Sequence, residues 1–192
     1  RGRVVLVSGG GLLHSADMAK YGGIFQNKFK RPRIRPTRNR LDLLLDVTTL
    51  YLVLFSIGYA IWHYPGLPAT IPTKWNAAGQ VVSTGSAVTI FLIPAIGLLV
   101  CAMLRAVQLW PWLSNTIVAI TEENAEVQYR LANRLLGWCG VLVGGLFLFI
   151  EISIVQGATT GRSPSTAGIV AFATLPWLPL LGWYFRASFK AA

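Results

Sequence analysis

The sequence has few of the side chains on which most enzyme chemistry depends. Its 192 residues include only two histidines, His14 and His63, and two cysteines, Cys101 and Cys139. With so few histidines, the chain cannot by itself supply paired-histidine haem ligation near a span or a three-histidine zinc site. The HExxH pattern, the Gly-x-Ser-x-Gly elbow and the Walker loop do not occur. We therefore expect a protein that is not an enzyme and has no metal site and no cofactor.

Charged residues are also scarce. They make up 12% of the chain, against about 25% in typical soluble domains. Hydrophobic residues make up 54%, and the mean hydropathy is +0.55, which is the composition of a membrane protein. Both cysteines fall inside apolar runs, so we expect them to be free, small hydrophobic side chains rather than a disulfide or metal pair.

Four apolar runs are long enough to cross a membrane. They cover residues 41–64, 87–107, 132–156 and 167–185. Each provides the roughly 20 apolar residues that cross about 30 Å of hydrocarbon as a helix. We predict an all-α fold, an integral membrane four-helix bundle over residues 41–192, with an ordered extracytoplasmic loop at 64–86 and a basic cytoplasmic tail at 1–40.

The basic residues predict how these spans are oriented. If the N-terminus is cytoplasmic, fifteen lysines and arginines lie on the cytoplasmic side and two, Lys74 and Arg162, on the other. Cytoplasmic loops of membrane proteins are enriched in these residues. We therefore expect a bacterial inner membrane protein with both termini in the cytoplasm. The first apolar patch, at residues 4–7, is too short for a signal peptide, and we expect no cleavable signal.

The basic tail is the first candidate binding element. Two prolines within residues 28–40 prevent a continuous helix, so Arg31, Arg33 and Arg35 are expected to meet anionic lipid headgroups. Aromatic residues are sparse there and no RNA-binding module surrounds them, so we expect no nucleic acid partner. A segment with so little apolar surface cannot offset its own ordering entropy, and if it is ordered we expect another membrane protein subunit to hold it.

Glu151 is the one acidic residue well inside a span. An intramembrane carboxyl group is a candidate functional site, here for a proton or a cation. The alternatives are a position near the outer interface, or a protonated carboxyl group hydrogen-bonded to Ser153, Thr174 or a loop backbone.

Two aspartates stand near the start of the first span. Asp42 and Asp46 are four residues apart and therefore share one face of a helix. We expect them to pair with Arg38 or Arg40 of the tail.

Three glycines in the third span predict close helix packing. Gly137, Gly140 and Gly144 recur at a helical spacing, so one face of this span lets a neighbouring backbone approach closely. Packing within the bundle is the expected use, with a partner helix as the alternative. A helix capped by Thr121 is expected to continue unbroken into this span.

The loop between the first two spans is expected to be stiff. Its prolines Pro65, Pro68 and Pro72 each fix φ, and Asn76 and Gly79 suit a turn that needs positive φ.

Two side chains of this loop, Lys74 and Trp75, are expected to project just outside the bilayer. They would bind a partner or a lipid phosphate, or anchor the loop at the interface. The loop residues predicted to take part in binding are Pro72, Lys74, Trp75, Asn76 and Gly79.

The same loop carries a family resemblance. Residues 71–79 read IPTKWNAAG, and residues 91–94 read FLIP. Over roughly residues 48–100 the chain resembles the short membrane domain of unknown function in SdpI-like bacterial proteins, the immunity proteins against a sporulation-delay toxin. The family commonly has His where this chain has Lys74. The resemblance implies a bacterial integral membrane protein, and toxin immunity as the role of some members.

The sequence favours a non-catalytic accessory or scaffolding subunit of a larger bacterial membrane protein complex, with respiratory and photosynthetic complexes as candidates. A 21.0 kDa bundle has little soluble mass of its own. The first alternative is a stand-alone toxin-immunity or signalling protein that recognises a peptide through the loop. The second is a small proton- or ion-coupled transporter built on Glu151, although four spans show no inverted repeat.

Overall fold

The computed structural model describes residues 26–76, 78–161 and 166–192. The predictions for residues 1–25, which include the absence of a signal peptide and the first part of the basic tail, lie outside this part of the chain. The helices and strands are α1 (Arg40–His63), β1 (Thr70–Trp75), β2 (Val81–Ser86), α2 (Leu92–Leu109), α3 (Ala125–Thr160), α4 (Thr166–Thr174) and α5 (Trp177–Lys190).

Within the residues that the structure describes, four helical segments are long and apolar enough to span a membrane, so the predicted all-α membrane bundle is confirmed. Their bounds are Arg40–Gly66, Ala87–Leu109, Ala125–Thr160 and Ala167–Lys190. The fourth consists of α4 and α5, which are divided just before Trp177 because Pro176 cannot donate a backbone hydrogen bond. Cys101 and Cys139 are free thiols inside the second and third spans, as predicted.

The glycine face of α3 packs against α1, which confirms the prediction of close packing within the bundle. A Cβ atom at Gly137, Gly140 or Gly144 would lie 3.1, 2.9 and 3.3 Å, respectively, from the nearest side-chain atom of α1. The three α1 side chains involved are Leu45, Thr49 and Leu52. The two helix axes therefore come close only because no side chain stands between them.

The start of α3 resembles the predicted cap. The Thr121 hydroxyl accepts a hydrogen bond from the backbone N–H of Asn124, and the Asn124 side chain accepts one from the N–H of Thr121. This reciprocal pair is the pattern of a capping box. The regular helix begins at Ala125 and continues without interruption to Thr160, as predicted.

A β-hairpin, which was not predicted, occupies the loop between the first two spans. Strands β1 and β2 are antiparallel, with Thr70 opposite Ser86 and Pro72 opposite Thr84. A proline is tolerated because each strand of a two-stranded hairpin is an edge strand. Of the two turn residues proposed from the sequence, Gly79 has positive φ, at 78°.

Asn76 has a different part in the turn. It lies outside the positive-φ region, and its side chain makes two hydrogen bonds of 2.9 Å to Gln80. The side chain thus closes the turn, and the left-handed conformation is left to the glycine.

The hairpin packs onto one end of the bundle through a small apolar core. The buried members of this core come from α1, β1, the turn that leads into α2, and α3. They are Ala60, Ile71, Ala87, Ile90, Ile154 and Val155. We call this end of the bundle the hairpin end, and the opposite end, where α1 and α3 begin and α2 ends, the basic end.

The described part of the tail docks on the basic end of its own chain. Arg31 is only 3% exposed and donates a hydrogen bond of 2.7 Å to the backbone carbonyl of Ser114. The Tyr129 hydroxyl donates one of 2.9 Å to the carbonyl of Pro32. Hydrogen bonds within the chain therefore hold this part of the tail against the bundle.

Candidate functional site

The buried carboxyl group of Glu151 is the centre of the site at the hairpin end. The residue is 0% exposed, and the Ser56 hydroxyl of α1 donates a hydrogen bond to its Oε2 atom. Its Oε1 atom has no hydrogen-bond partner among the residues that the structure describes. Ser56 lies seven residues before His63, about 10 Å along the helix axis, so the pair is well inside the span.

The partner of Glu151 differs from those expected from the sequence. Ser153 and Thr174 each donate a hydrogen bond of 2.8 Å to a carbonyl of their own helix instead. The one feature of the sequence that could have indicated Ser56 as the partner is that it is the lone serine in the apolar run of α1. Spacing along one helix could not indicate which helix would lie opposite Glu151.

Apolar residues lie one helical turn beyond Glu151. Glu151 is followed on α3 by Ile154 and Val155, two members of the core beneath the hairpin. One turn beyond Ser56 on α1, Tyr59 lies with its ring centroid 4.3 Å from that of His63. A carboxyl group with one free oxygen in such surroundings offers a place for a proton, a single cation or a water molecule.

A metal site needs more ligands than this pair provides. Among the described residues, no group of three or more His, Cys, Asp or Glu side chains could hold a metal ion. The interaction that the structure shows at this pair is the hydrogen bond from Ser56 to Glu151.

The hairpin residues proposed for binding fall into two groups. Lys74 is exposed, whereas Trp75 is half-buried and packs against the apolar core at the hairpin end. Asn76 and Gly79 form the turn, and Pro72 is half-buried in β1. Lys74 is thus the member of this set whose side chain is most available to a ligand.

The tail arginines proposed for binding also differ in how exposed they are. Arg33 and Arg35 are exposed, whereas Arg31 is enclosed by the segment around Trp112 and Ser114. Burial lowers the pKa of Arg31 from its usual value. Carbonyl oxygens around the guanidinium replace the water that it loses, so Arg31 anchors the tail to the bundle.

Ion pairs join the helices at the basic end. Asp46 accepts a hydrogen bond from Arg38, as predicted, and lies 3.7 Å from Arg105 of α2. Asp42 lies 3.4 Å from Arg134 of α3 rather than beside Arg40. The sequence identified the acidic partners, but the arginines contributed by other helices depend on how the bundle packs.

Part of the chain matches a known domain family. Residues 51–98 match a family model described as "Domain of unknown function (DUF1648)". The matched stretch runs from the hairpin half of α1 through the hairpin into α2, so it includes Ser56 and Lys74 but not Glu151. Neither a curated protein nor a solved structure matches the chain.

Proposed function

We propose that this protein is a non-catalytic accessory subunit of a larger bacterial membrane protein complex, and that its fourth span contacts a neighbouring subunit. The observation that carries this proposal is the burial of the spans. Only 6% of the most apolar window of the fourth span is buried, compared with 22–33% for the other three. In this proposal the basic end faces the cytoplasm, because arginine and lysine are concentrated there.

The exposed surface of the fourth span is suited to another helix. Helices in a membrane associate by close packing, since lipid tails are as apolar as the side chains they replace. At Gly182, an added Cβ atom would meet nothing within 4 Å, so a helix of another chain can approach closely there. Large apolar side chains exposed on this span are Val170, Phe172, Leu175, Leu178, Leu181, Trp183, Phe185 and Phe189.

Site-specific photocross-linking tests this proposal in the native membrane. A photoreactive amino acid at Leu178, which is 69% exposed, should form a discrete adduct with another protein. The same group at Leu99 of α2, which is 61% exposed, is the matched control and should react mainly with lipid. Equal protein adducts at both positions, or migration of the detergent-purified chain as a lone small species, would contradict the proposal.

A second candidate is a stand-alone immunity or signalling protein of the SdpI-like type. It rests on the resemblance of the loop sequence IPTKWNAAG to that family and on the exposure of Lys74 on the hairpin. In this role Lys74 would contact a toxin or peptide outside the membrane. Trp75 and Asn76 would support it by fixing the hairpin to the bundle and closing the turn.

Competition between strains tests this second role without knowledge of the toxin. Cells that lack the protein should be lost from a mixed culture with parental cells, and the wild-type chain should restore their survival. Lys74→Ala should fail to restore it, because the exposed cation is removed while the apolar core under the hairpin is kept. Thr84→Ala, an exposed position on β2, is the control and should restore survival. Equal survival of the deletion strain would exclude immunity.

A further inference from the structure

A cleft runs from the basic end into the bundle between α1, α2 and α3. Its mouth, the polar pocket, has a volume of about 190 Å³ and is lined by four arginines and two aspartates among other residues. Its deeper part, the apolar groove, has a volume of about 300 Å³. The polar pocket and the apolar groove share Asp46, Arg105, Gln108 and Gly137, so they form one continuous cleft.

Positive charge prevails in the polar pocket. Its charged residues are Arg35, Arg38, Asp42, Asp46, Arg105 and Arg130. Asp46 is shared between Arg38 and Arg105, whereas Asp42 pairs with Arg134 and Arg130 with Glu126, two partners that do not line the pocket. With Arg134 and Glu126 included, five arginines stand against three carboxylates, so the pocket keeps a positive charge that favours an anion.

Two buried polar atoms of the pocket residues have no partner in the described part of the chain. They are Nε of Arg130, a donor, and Oδ1 of Asn133, an acceptor. Other atoms of both side chains are engaged, since Arg130 donates to Thr37 at 2.8 Å and to Glu126 at 2.5 Å, and Asn133 donates to the carbonyl of Gln108 at 3.3 Å. Buried polar groups usually find partners, so these two atoms point to a ligand that both accepts and donates hydrogen bonds.

The apolar groove, unlike the polar pocket, is lined mainly by apolar side chains. Besides Asp46, Arg105, Gln108 and Gly137, it is lined by Thr49, Leu50, Val53, Leu98, Cys101, Ala102, Leu104, Leu136 and Gly140. Leu98 and Ala102 are exposed on the surface of α2, so the groove opens sideways towards the region that lipid occupies. An apolar chain can enter it from there without crossing water.

We propose that this cleft binds one anionic phospholipid, with its phosphate in the polar pocket and an acyl chain in the apolar groove. Arginine guanidinium groups are well suited to phosphate oxygens because they donate several hydrogen bonds in one plane. A hydroxyl-bearing headgroup such as glycerol also supplies a donor for Asn133. This site differs from the attraction of the tail to a charged membrane surface, because it combines side chains of three helices in one cleft.

Native mass spectrometry of the full chain in detergent tests whether the cleft prefers a lipid with a net negative charge. The wild type should retain phosphatidylglycerol in preference to phosphatidylcholine. The double variant Arg105→Gln/Arg130→Gln should weaken phosphatidylglycerol binding about tenfold or more, as expected when two basic groups near a headgroup are lost. The control, Arg186→Gln/Lys190→Gln, removes two exposed basic residues that do not line the cleft and should keep the preference.

A second pair of variants tests whether an acyl chain occupies the apolar groove. Ala102→Trp fills the apolar groove and should reduce phosphatidylglycerol binding about tenfold, whereas Ala95→Trp, exposed on the same helix but outside the groove, should not. Thermal unfolding of each variant shows which proteins remain folded, and only folded variants are compared. Equal binding of both lipids, equal loss in the control variants, or displacement of the lipid by free glycerol phosphate at similar concentration would overturn the proposal.

Discussion

Gly140→Leu should destabilise the bundle by about 1–3 kcal/mol, the usual cost of inserting a side chain into a packed interface. A Cβ atom at this position would lie 2.9 Å from the Thr49 hydroxyl and 3.2 Å from its methyl group. Thr49 cannot easily turn away, since its hydroxyl donates a hydrogen bond of 2.9 Å to the carbonyl of Leu45. Helices α1 and α3 would therefore have to separate, and the contacts at Gly137 and Gly144 would loosen with them.

Reversible unfolding in mixed detergent micelles, followed by circular dichroism, measures this effect. The matched control is Gly58→Leu on α1, where an added Cβ atom meets nothing within 4 Å. Both variants replace a glycine inside a spanning helix, so the change in helix propensity is the same in each. If the two variants unfold at the same midpoint, the glycine face does not set the distance between the helices.

Ser56→Ala should destabilise the protein by about 1–3 kcal/mol, because it leaves a buried polar group without its partner. The Ser56 hydroxyl is the hydrogen-bond donor to Glu151 Oε2, and the other carboxyl oxygen already lacks a partner in the described part of the chain. The double variant Ser56→Ala/Glu151→Leu should recover most of the loss, since replacing both polar partners with apolar groups is often nearly neutral.

A double-mutant cycle over Ser56 and Glu151 makes the comparison quantitative. The coupling free energy should fall between about 0.5 and 3 kcal/mol, as is typical of residues in contact. Ser153→Ala provides the control: its hydroxyl bonds the carbonyl of Phe149 in the same helix, so its loss should have little effect. Additive effects of the Ser56 and Glu151 variants would show that the two side chains do not interact in the membrane.

Several features of the fold follow from local sequence alone. About 20 consecutive apolar residues are enough to identify a spanning helix, because the thickness of the hydrocarbon layer fixes the length required. The glycine face of α3 could also be predicted, since helical periodicity places Gly137, Gly140 and Gly144 on one side. The pairing of Arg38 with Asp46 involves residues only eight positions apart, so the tail reaches its partner locally.

The hairpin could not be predicted in the same way. Its strands do not alternate cleanly between apolar and polar residues, and Pro72 lowers the strand propensity of β1. What stabilises the hairpin is burial of Ile71 against the ends of the spanning helices. That contribution exists only once the bundle has formed.

The sequence by itself determined the number of spans, the glycine face that joins two of them and the presence of one carboxyl group within the membrane. Only the tertiary structure decided that Ser56 faces Glu151, that Arg31 is buried in its own chain and that four arginines share a cleft with an apolar groove. Span length and helical periodicity depend on neighbours within a few turns. The partners of Glu151 and Arg31 lie 95 and 83 residues away in the sequence, and only the packing of the chain brings them into contact.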